Sequence, residues 1–245
     1  MKNRTVVVLS FVILVTFLYF SQISYGTVIT IAASTTDIDD TTMYSDSTTD
    51  NTGANLGLWV GNNSTSTNRR TLLRFNLSSI PSNAIISSVT VTLTMTKAAG
   101  GASGDQALFR VLNSWSEGTG LGRGSVPGGQ GGQPVPGGAS WGFRQNFSQG
   151  WTTPGGDFSN VTSAFNNVGS ILGPQSWSDV GLVNDVQSWV NGSQPNNGWI
   201  LIGSETTTSS ARVYGASEDS VNSPSLTVIY TAPAGVNDIV WKSFE

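Results

Sequence analysis

The segment Ser88-Val89-Thr90-Val91-Thr92-Leu93-Thr94-Met95-Thr96 gives the plainest indication of the fold. Apolar residues occupy every second position, and hydroxyl side chains fill the positions between them. Successive side chains of a strand point to opposite faces, so this alternation predicts a strand with one buried and one polar face. Half-buried strands of this kind are typical of antiparallel sheets.

Similar short segments recur along the chain, separated by residues that favour turns. Residues 71–77 place Leu73 and Phe75 on one face of a strand and Leu72 on the other. Further strands are predicted at residues 107–112, 198–203, 211–216 and 225–230, with a weaker one near residues 42–44.

Helical spacing is found in residues 183–190, where apolar residues recur at helical intervals before an Asn-Gly pair. These residues are Val183, Val186, Trp189 and Val190. This pattern predicts one or two helical turns. Residues 118–138 hold ten glycines and three prolines, which predicts a loop. Many short strands and little helix predict an all-β fold, a single-domain antiparallel β-sandwich of jelly-roll type.

The composition excludes several kinds of chemistry. The 245 residues include no His and no Cys, and only 11% are charged. The sequence therefore offers no imidazole base, thiolate, disulfide or usual zinc site. The net charge of −4 and the absence of clustered Lys and Arg disfavour nucleic acid as a partner.

The N-terminus has the pattern of a secretory signal peptide over residues 1–26. Lys2 and Arg4 precede an apolar run of about 15 residues, and Ser24 and Gly26 supply small residues before a cut. An uncleaved membrane anchor is the alternative. Cleavage removes two of 11 basic residues and none of 15 acidic ones, which leaves a net charge of −6. We expect a secreted protein, extracellular or at the cell surface, without a membrane span after cleavage.

Tryptophans suggest where a sugar would bind. Trp189 and Trp199 lie in periodic apolar segments, which predicts burial, whereas Trp115, Trp141 and Trp151 border polar loops. Exposed indole rings stack on sugar rings, and core packing is the alternative for each tryptophan. The predicted glycan-binding residues are Trp115, Trp141, Arg144, Trp151 and Asp157.

Carboxylates leave two further possibilities open. Asp39 and Asp40 lie in an Asp-rich stretch that a calcium ion could use, although the order of an EF-hand loop is missing and a solvated acidic loop is the alternative. No other cofactor is predicted. Glycoside hydrolysis needs only two carboxylates, and Arg144 with Tyr214 could be assigned roles in a polysaccharide lyase. No active-site signature supports either activity, so no catalytic residues are predicted.

Four blocks of the sequence resemble the disaggregatase-related DNRLRE domain family, in the expected order. They are Arg70-Thr71-Leu72-Leu73-Arg74-Phe75-Asn76-Leu77-Ser78-Ser79-Ile80-Pro81, Trp151-Thr152-Thr153-Pro154-Gly155-Gly156-Asp157-Phe158, Asp185-Val186-Gln187-Ser188-Trp189-Val190-Asn191-Gly192 and Ser223-Pro224-Ser225-Leu226-Thr227-Val228-Ile229-Tyr230. The resemblance implies a jelly-roll-like domain over residues 27–231, similar to accessory carbohydrate-binding modules of secreted and cell-surface proteins. It implies no catalytic residues.

These observations favour a structural or adhesive surface module that binds polysaccharide or neighbouring surface proteins. An alternative is a self-assembling surface-layer or filament subunit. Residues 232–245 form a predicted C-terminal tail, and its apolar stretch over residues 236–244 could add as a strand to a neighbouring sheet.

Overall fold

A computed structural model of the chain describes residues 27–32, 37–100, 104–124 and 128–232. The predicted signal peptide and residues 233–245 of the predicted tail lie outside this part of the chain. Among the described residues, no helix combines the length and the apolar character that crossing a bilayer requires.

Antiparallel strands make up most of the described structure, with one helix, α1 (Val180–Val190). The strands are β1 (Thr27–Ala32), β2 (Ile38–Tyr44), β3 (Asp50–Asn51), β4 (Gly57–Asn62), β5 (Asn68–Phe75), β6 (Ile85–Ala98), β7 (Gly104–Val111), β8 (Gln133–Pro134), β9 (Phe143–Gln145), β10 (Gln149–Gly150), β11 (Phe158–Val168), β12 (Gly173–Trp177), β13 (Trp199–Ile202), β14 (Arg212–Gly215) and β15 (Ser225–Thr231).

The long strands form one sheet that curls into two facing layers. In the first layer, β6 pairs with β12 on one side and with β15 and β14 on the other, and β1 and β4 follow outward. In the second layer the strand order is β2-β5-β13-β7-β11. The strand β4 joins the layers, because its first residues pair with β14 and its last two pair with β5. The predicted all-β antiparallel sandwich is confirmed.

The corner between the layers falls at Gly61 in β4. Gly61 has a φ of 103°, a conformation that favours glycine, and the backbone of Ala211 comes close to it. A side chain at this position would be strained and would lie about 3.2 Å from the Ser210 backbone oxygen. The glycine therefore allows one strand to serve both layers.

Two apolar clusters lie on opposite faces of the second layer. The inner cluster fills the space between the layers and includes Leu73, Phe75 and Trp199. The outer cluster includes Leu72 and Ile200 on the other face. The predicted alternation of Leu73 and Phe75 against Leu72 is confirmed, and both faces are buried rather than one.

The outer cluster is covered by the long excursion between β7 and β11, residues 112–157. It adds Trp115, Ala139 and Trp151 to the outer face of the sheet. This excursion contains the glycine-rich segment that the sequence predicts as a loop, and a large share of it is folded against the sandwich.

The helix α1 is longer than the one or two turns predicted, with 11 residues. Asp179 caps its N-terminus through a 2.6 Å hydrogen bond from the Val180 amide to its carboxylate. Leu182, Val186 and Trp189 are buried where the helix packs against β6 and β11. Of the apolar residues in the predicted pattern, Val186 and Trp189 are buried, while Val183 and Val190 are partly buried. The capped first turn accounts for the added length.

Candidate functional site

Two surface cavities open at one end of the second layer. There β5 and β7 end while β2, β11 and β13 begin. Neighbouring strands lie about 4.8 Å apart, so the five strand ends from β2 to β11 span roughly 19 Å. We call this end the strand-end rim and define it by the residues that line its two cavities.

The first cavity has a volume of about 310 Å³. It is lined by Asp37, Asp39, Arg74, Phe75, Asn76, Leu77 and Asn196. Arg74 holds the Asp39 carboxylate through Nη2 at 2.6 Å and Nε at 2.8 Å. The Arg74 guanidinium also lies 5.0 Å from the centre of the Trp115 ring and donates to the Trp115 carbonyl. The ion pair is therefore fixed in place while both side chains stay partly exposed.

The second cavity has a volume of about 420 Å³. It is lined by Leu112, Asn113, Thr152, Thr153, Gly156, Asp157 and Phe158. The Asp157 carboxylate accepts hydrogen bonds of 2.9 Å from the Thr152 amide, the Thr153 amide and Asn113 Nδ2.

Burial alone would raise the pKa of Asp157, but the hydrogen bonds from Thr152, Thr153 and Asn113 lower it below its ordinary value. The group is thus an ionised, oriented acceptor at neutral pH. A fixed acceptor of this kind suits a ligand rich in hydroxyl donors, because little order has to be gained on binding. The structure places the predicted site residue Asp157 in this cavity, and its role in binding stays a prediction.

Trp115 and Trp151 are not the exposed rings that the sequence predicts. Trp115 is 2% exposed and Trp151 is 7% exposed. Their indole N–H groups donate to the Asn197 and Ser140 carbonyls. The physical reason is the apolar outer face of the second layer, which requires a cover that these rings supply. Their expected exposure is therefore wrong, although Trp115 supports Arg74 at the rim.

Trp141 and Arg144 keep partial exposure. The Trp141 ring lies 4.8 Å from the Arg70 guanidinium, which also holds Glu205 through bonds of 2.7 and 2.9 Å. Arg144 donates at 3.2 Å to both the carbonyl and the hydroxyl of Ser114. Trp141 is thus part of a stacked cluster beside the rim, and Arg144 stays a predicted contact residue.

The predicted burial of Trp189 and Trp199 is confirmed, because their side chains are 8% and 0% exposed.

A buried asparagine organises the glycine-rich part of the excursion. Asn51 Nδ2 donates to the Glu117 and Ala139 carbonyls at 2.6 and 2.8 Å. Its Oδ1 accepts from the Gly53 and Gly120 amides at 3.2 and 2.9 Å. Added Cβ atoms at Gly118, Gly120 and Gly138 would lie 2.1–2.6 Å from Asn51 atoms or from neighbouring backbone. The glycines allow the chain to wrap closely around this amide.

Asp39 and Asp40, the residues considered for calcium from the sequence, point to different partners. They are neighbours on β2, and their side chains bind different partners: Asp39 pairs with Arg74, while Asp40 is 1% exposed and accepts from the Ser217 amide at 2.8 Å. Across the described ranges, no group of three or more acidic side chains has a metal-holding arrangement. Calcium binding by these two residues stays a prediction without a shared site.

The buried Asp40 lies near two partly buried carboxyl groups, Glu117 and Glu218. Burial and then the Glu218 and Glu117 charges raise the pKa of Asp40 well above its ordinary value. Burial raises the pKa of Glu117 to about 8, although the Asp40 amide donates to Glu117 Oε1 at 2.7 Å. With a pKa of about 8, Glu117 is mostly protonated at pH 7, which limits its repulsion of Asp40 and Glu218.

The residues considered for a lyase do not meet. The Tyr214 side chain is 0% exposed and its hydroxyl donates to Gln106 Oε1 at 2.7 Å, in the core between the layers. Arg144 lies on the excursion that covers the opposite face of the second layer and binds Ser114. An Arg144–Tyr214 pair therefore has no geometric basis.

The sequence reasoning missed a pair of phenylalanines on the hairpin formed by β9 and β10. Phe147 is 57% exposed, and its ring centre lies 6.2 Å from that of Phe143. A search restricted to tryptophan overlooks them. The available signal is Phe143-Arg144-Gln145-Asn146-Phe147 itself, in which two aromatic residues flank polar ones.

Comparison with known protein families indicates the kind of ligand. The family model of carbohydrate-binding module family 96 matches residues 31–120. The matched region includes Asn51 and Trp115, most of the first cavity, and Asn113 of the second. No curated protein matches this chain. The match supports a family of the carbohydrate-binding-module kind and suggests a polysaccharide partner, while the more specific resemblance to DNRLRE domains stays a prediction.

Proposed function

We propose that this chain is a secreted, non-catalytic module that binds polysaccharide along the strand-end rim, in a structural or adhesive role at the cell surface. The observation that carries the proposal is the rim itself. Oriented hydrogen-bonding groups line its two cavities, which lie along strand ends that together span about 19 Å. The match of residues 31–120 to a carbohydrate-binding module family supports the same ligand class. The signal-peptide pattern of residues 1–26 supports secretion.

The rim suits the chemistry of a sugar chain. Each sugar hydroxyl both donates and accepts hydrogen bonds, and the rim offers carboxylate acceptors, amide groups and one guanidinium. Asp157 is held by three hydrogen bonds and Asp39 by Arg74, so these groups are oriented before a ligand arrives. Orientation in advance reduces the entropy lost on binding. Phe158 adds an apolar contact surface in the second cavity.

The charge at the rim favours neutral polysaccharides. Asp37, Asp39 and Asp157 contribute three carboxylates, whereas Arg74 contributes one cation, which gives a local charge of −2. A polyanionic chain would be repelled by this excess, as it would by the overall charge of −4. A neutral glycan avoids this repulsion and still satisfies the hydrogen-bonding groups.

A pull-down with insoluble polysaccharides tests the proposal. The panel contains neutral glucans, mannan, xylan and chitin, together with an acidic polyuronate. We expect retention on at least one neutral polymer, weaker retention on the polyuronate, and no release of reducing ends during incubation. Failure to bind any neutral polymer, or release of reducing ends from the bound one, would overturn the proposal.

The chain offers a matched pair of variants for this experiment. Asn113 binds Asp157 at 2.9 Å at the rim end of β7 and β11, and Asn167 binds Asp105 at 2.7 Å at the opposite end of the same strands. Asn113→Ala removes a hydrogen-bonding group of the second cavity and should weaken binding by about fivefold, the value of one net hydrogen bond. Asn167→Ala should bind like the wild type. Equal effects of the two substitutions would place the binding surface away from the rim.

A further inference from the structure

The hairpin of β9 and β10 presents an aromatic pair beside the rim. The rings of Phe143 and Phe147 lie 6.2 Å apart at an interplanar angle of 47°. Phe147 is 57% exposed. Exposed phenylalanine on an otherwise polar hairpin gains nothing from burial in the core, so its position requires another explanation.

The backbone at Phe147 is strained. Its φ is 64°, in the left-handed region that favours glycine, and a bulky side chain is rare there. Two further non-glycine residues of the described chain have such a φ, Ser66 and Ser209, and both are small. Non-glycine residues held in this region carry a conformational cost and are concentrated at functional sites.

The neighbouring Asn146 explains how the strain is held. Its side chain is 1% exposed; its Nδ2 donates to the Thr49 and Val135 carbonyls, and its Oδ1 accepts from Ser140 Oγ. Its amide also donates to the Gly138 carbonyl at 3.0 Å. This anchoring fixes the hairpin and holds the Phe147 ring in solvent. The aromatic pair is thus a rigid surface, ordered before any ligand is present.

The hairpin contacts Ser116, which lies close to the rim along the chain. The Ser116 amide donates to the Arg144 carbonyl, and Gln145 Nε2 donates to Ser116 Oγ, both at 3.3 Å. Ser116 lies three residues after Asn113, which lines the second cavity. A polymer seated in that cavity therefore has the hairpin beside its path.

The side chains around the two rings favour a sugar over a lipid surface. Gln145, Ser148 and Gln149 offer neutral amide and hydroxyl groups, and Arg144 is the hairpin's sole charged residue. Attraction to anionic lipids requires several basic residues in one patch. Amides and hydroxyls next to an aromatic ring suit a pyranose, which has an apolar C–H face and a periphery of hydroxyls.

We propose that Phe143 and Phe147 form a stacking platform for the apolar face of a pyranose ring, a second contact for the polysaccharide that lies along the rim. This inference rests on the proposed function and adds to it a site outside the two cavities. Stacking would bury ring surface that is exposed in the free protein, and this gain offsets the backbone strain at Phe147.

The substitution Phe147→Gly tests the platform without a risk to folding. Glycine is favoured at a φ of 64°, so the variant should have an unchanged or higher melting temperature. It should nevertheless bind the neutral polysaccharide retained by the wild-type protein about tenfold more weakly, as judged from the apolar surface of one aromatic ring. Phe147→Trp should restore binding to at least the wild-type level.

The outcomes separate the platform from the rim. Retention of the wild type on no polymer overturns both the platform and the proposed function. Wild-type affinity in Phe147→Gly, with weakened binding in Asn113→Ala, overturns the platform alone. Weakened binding in Phe147→Gly with normal binding in Asn113→Ala supports the platform and overturns the rim. Loss of a dimer in gel filtration, or loss of binding to phosphatidylserine vesicles, on Phe147→Gly substitution would assign the rings to another partner and overturn the platform.

Discussion

Replacement of Asn51 by alanine should destabilise the protein strongly, because this buried amide connects distant segments. The Asn51 side chain is 0% exposed and joins three parts of the chain: Thr41 of β2, the segment at Glu117–Gly120, and Ala139. Its bonds to the Glu117 and Ala139 carbonyls and from the Gly53 and Gly120 amides measure 2.6, 2.8, 3.2 and 2.9 Å.

The magnitude follows from the groups that lose their partner. Asn51→Ala leaves two backbone carbonyls and two backbone amides without the side chain that satisfied them. A buried polar group without a partner costs about 1–3 kcal/mol, and partial access of water favours the lower value, so the sum is about 4 kcal/mol. In a domain of this size, each kcal/mol lowers the melting temperature by about 2–4 °C, which predicts a fall of roughly 8–16 °C.

Thermal unfolding followed by circular dichroism measures this effect, with Asn63→Ala as the control. Asn63 is half-exposed and accepts bonds only from its own turn, at Thr65 and Thr67, so its removal should lower the melting temperature by far less. Asn51→Asp keeps the acceptor but loses both donors, and should be destabilising above the pKa of the new carboxyl. A change of less than about 3 °C in Asn51→Ala, or one equal to that of the control, would refute the reasoning.

Three further predictions concern the same part of the fold. The raised pKa of Glu117, about 8, favours its protonated form, so the stability that this residue contributes is present at pH 5 and is lost as the pH rises through 8. In urea unfolding, the free energy of unfolding should fall by about 2 kcal/mol between pH 5 and 9, after allowance for solvent screening. The fall should be smaller in Glu117→Gln. The chain has no His or Cys to titrate in this interval, so a pH-independent stability would contradict the raised pKa of Glu117. Gly138→Ala would place a Cβ 2.6 Å from the Asn51 amide and should lower the unfolding free energy by about 2 kcal/mol, whereas Gly100→Ala, with open space around it, should leave it unchanged. Trp115→Phe removes a buried hydrogen bond and ring volume and should lower the unfolding free energy by about 2 kcal/mol in urea; a neutral result would show that the ring does not support the rim.

Sequence patterns predict the strands and the helix whose side chains follow a regular spacing along the chain. The alternation in residues 88–96 identified the centre of β6, which extends from Ile85 to Ala98. The apolar periodicity around Trp189 located α1. By contrast, β11 was missed, because register shifts between Phe158 and Ala164 break the alternation of its side chains.

The candidate site was only partly predictable, because distant residues assemble it. Asn51 meets Glu117 and Ala139, which lie 66 and 88 residues away along the chain, and no local pattern indicates such contacts. Trp115 and Trp151 looked exposed because their sequence neighbours are polar. The apolar face that buries them belongs to strands elsewhere in the sequence, including Leu72 and Ile200. Asp157 was among the predicted site residues, but its role as an oriented acceptor required the structure.

Hydrogen–deuterium exchange of the protein, with and without oligosaccharides of the neutral polysaccharide it retains, tests the central claim most directly. If the ligand binds at the rim, amide exchange should slow on ligand addition in residues 112–113 and 152–158. Exchange in β1 and β15, on the other layer, should change little. Protection confined to β1 and β15, or binding without protection at either cavity, would contradict the assignment of the ligand to the strand-end rim.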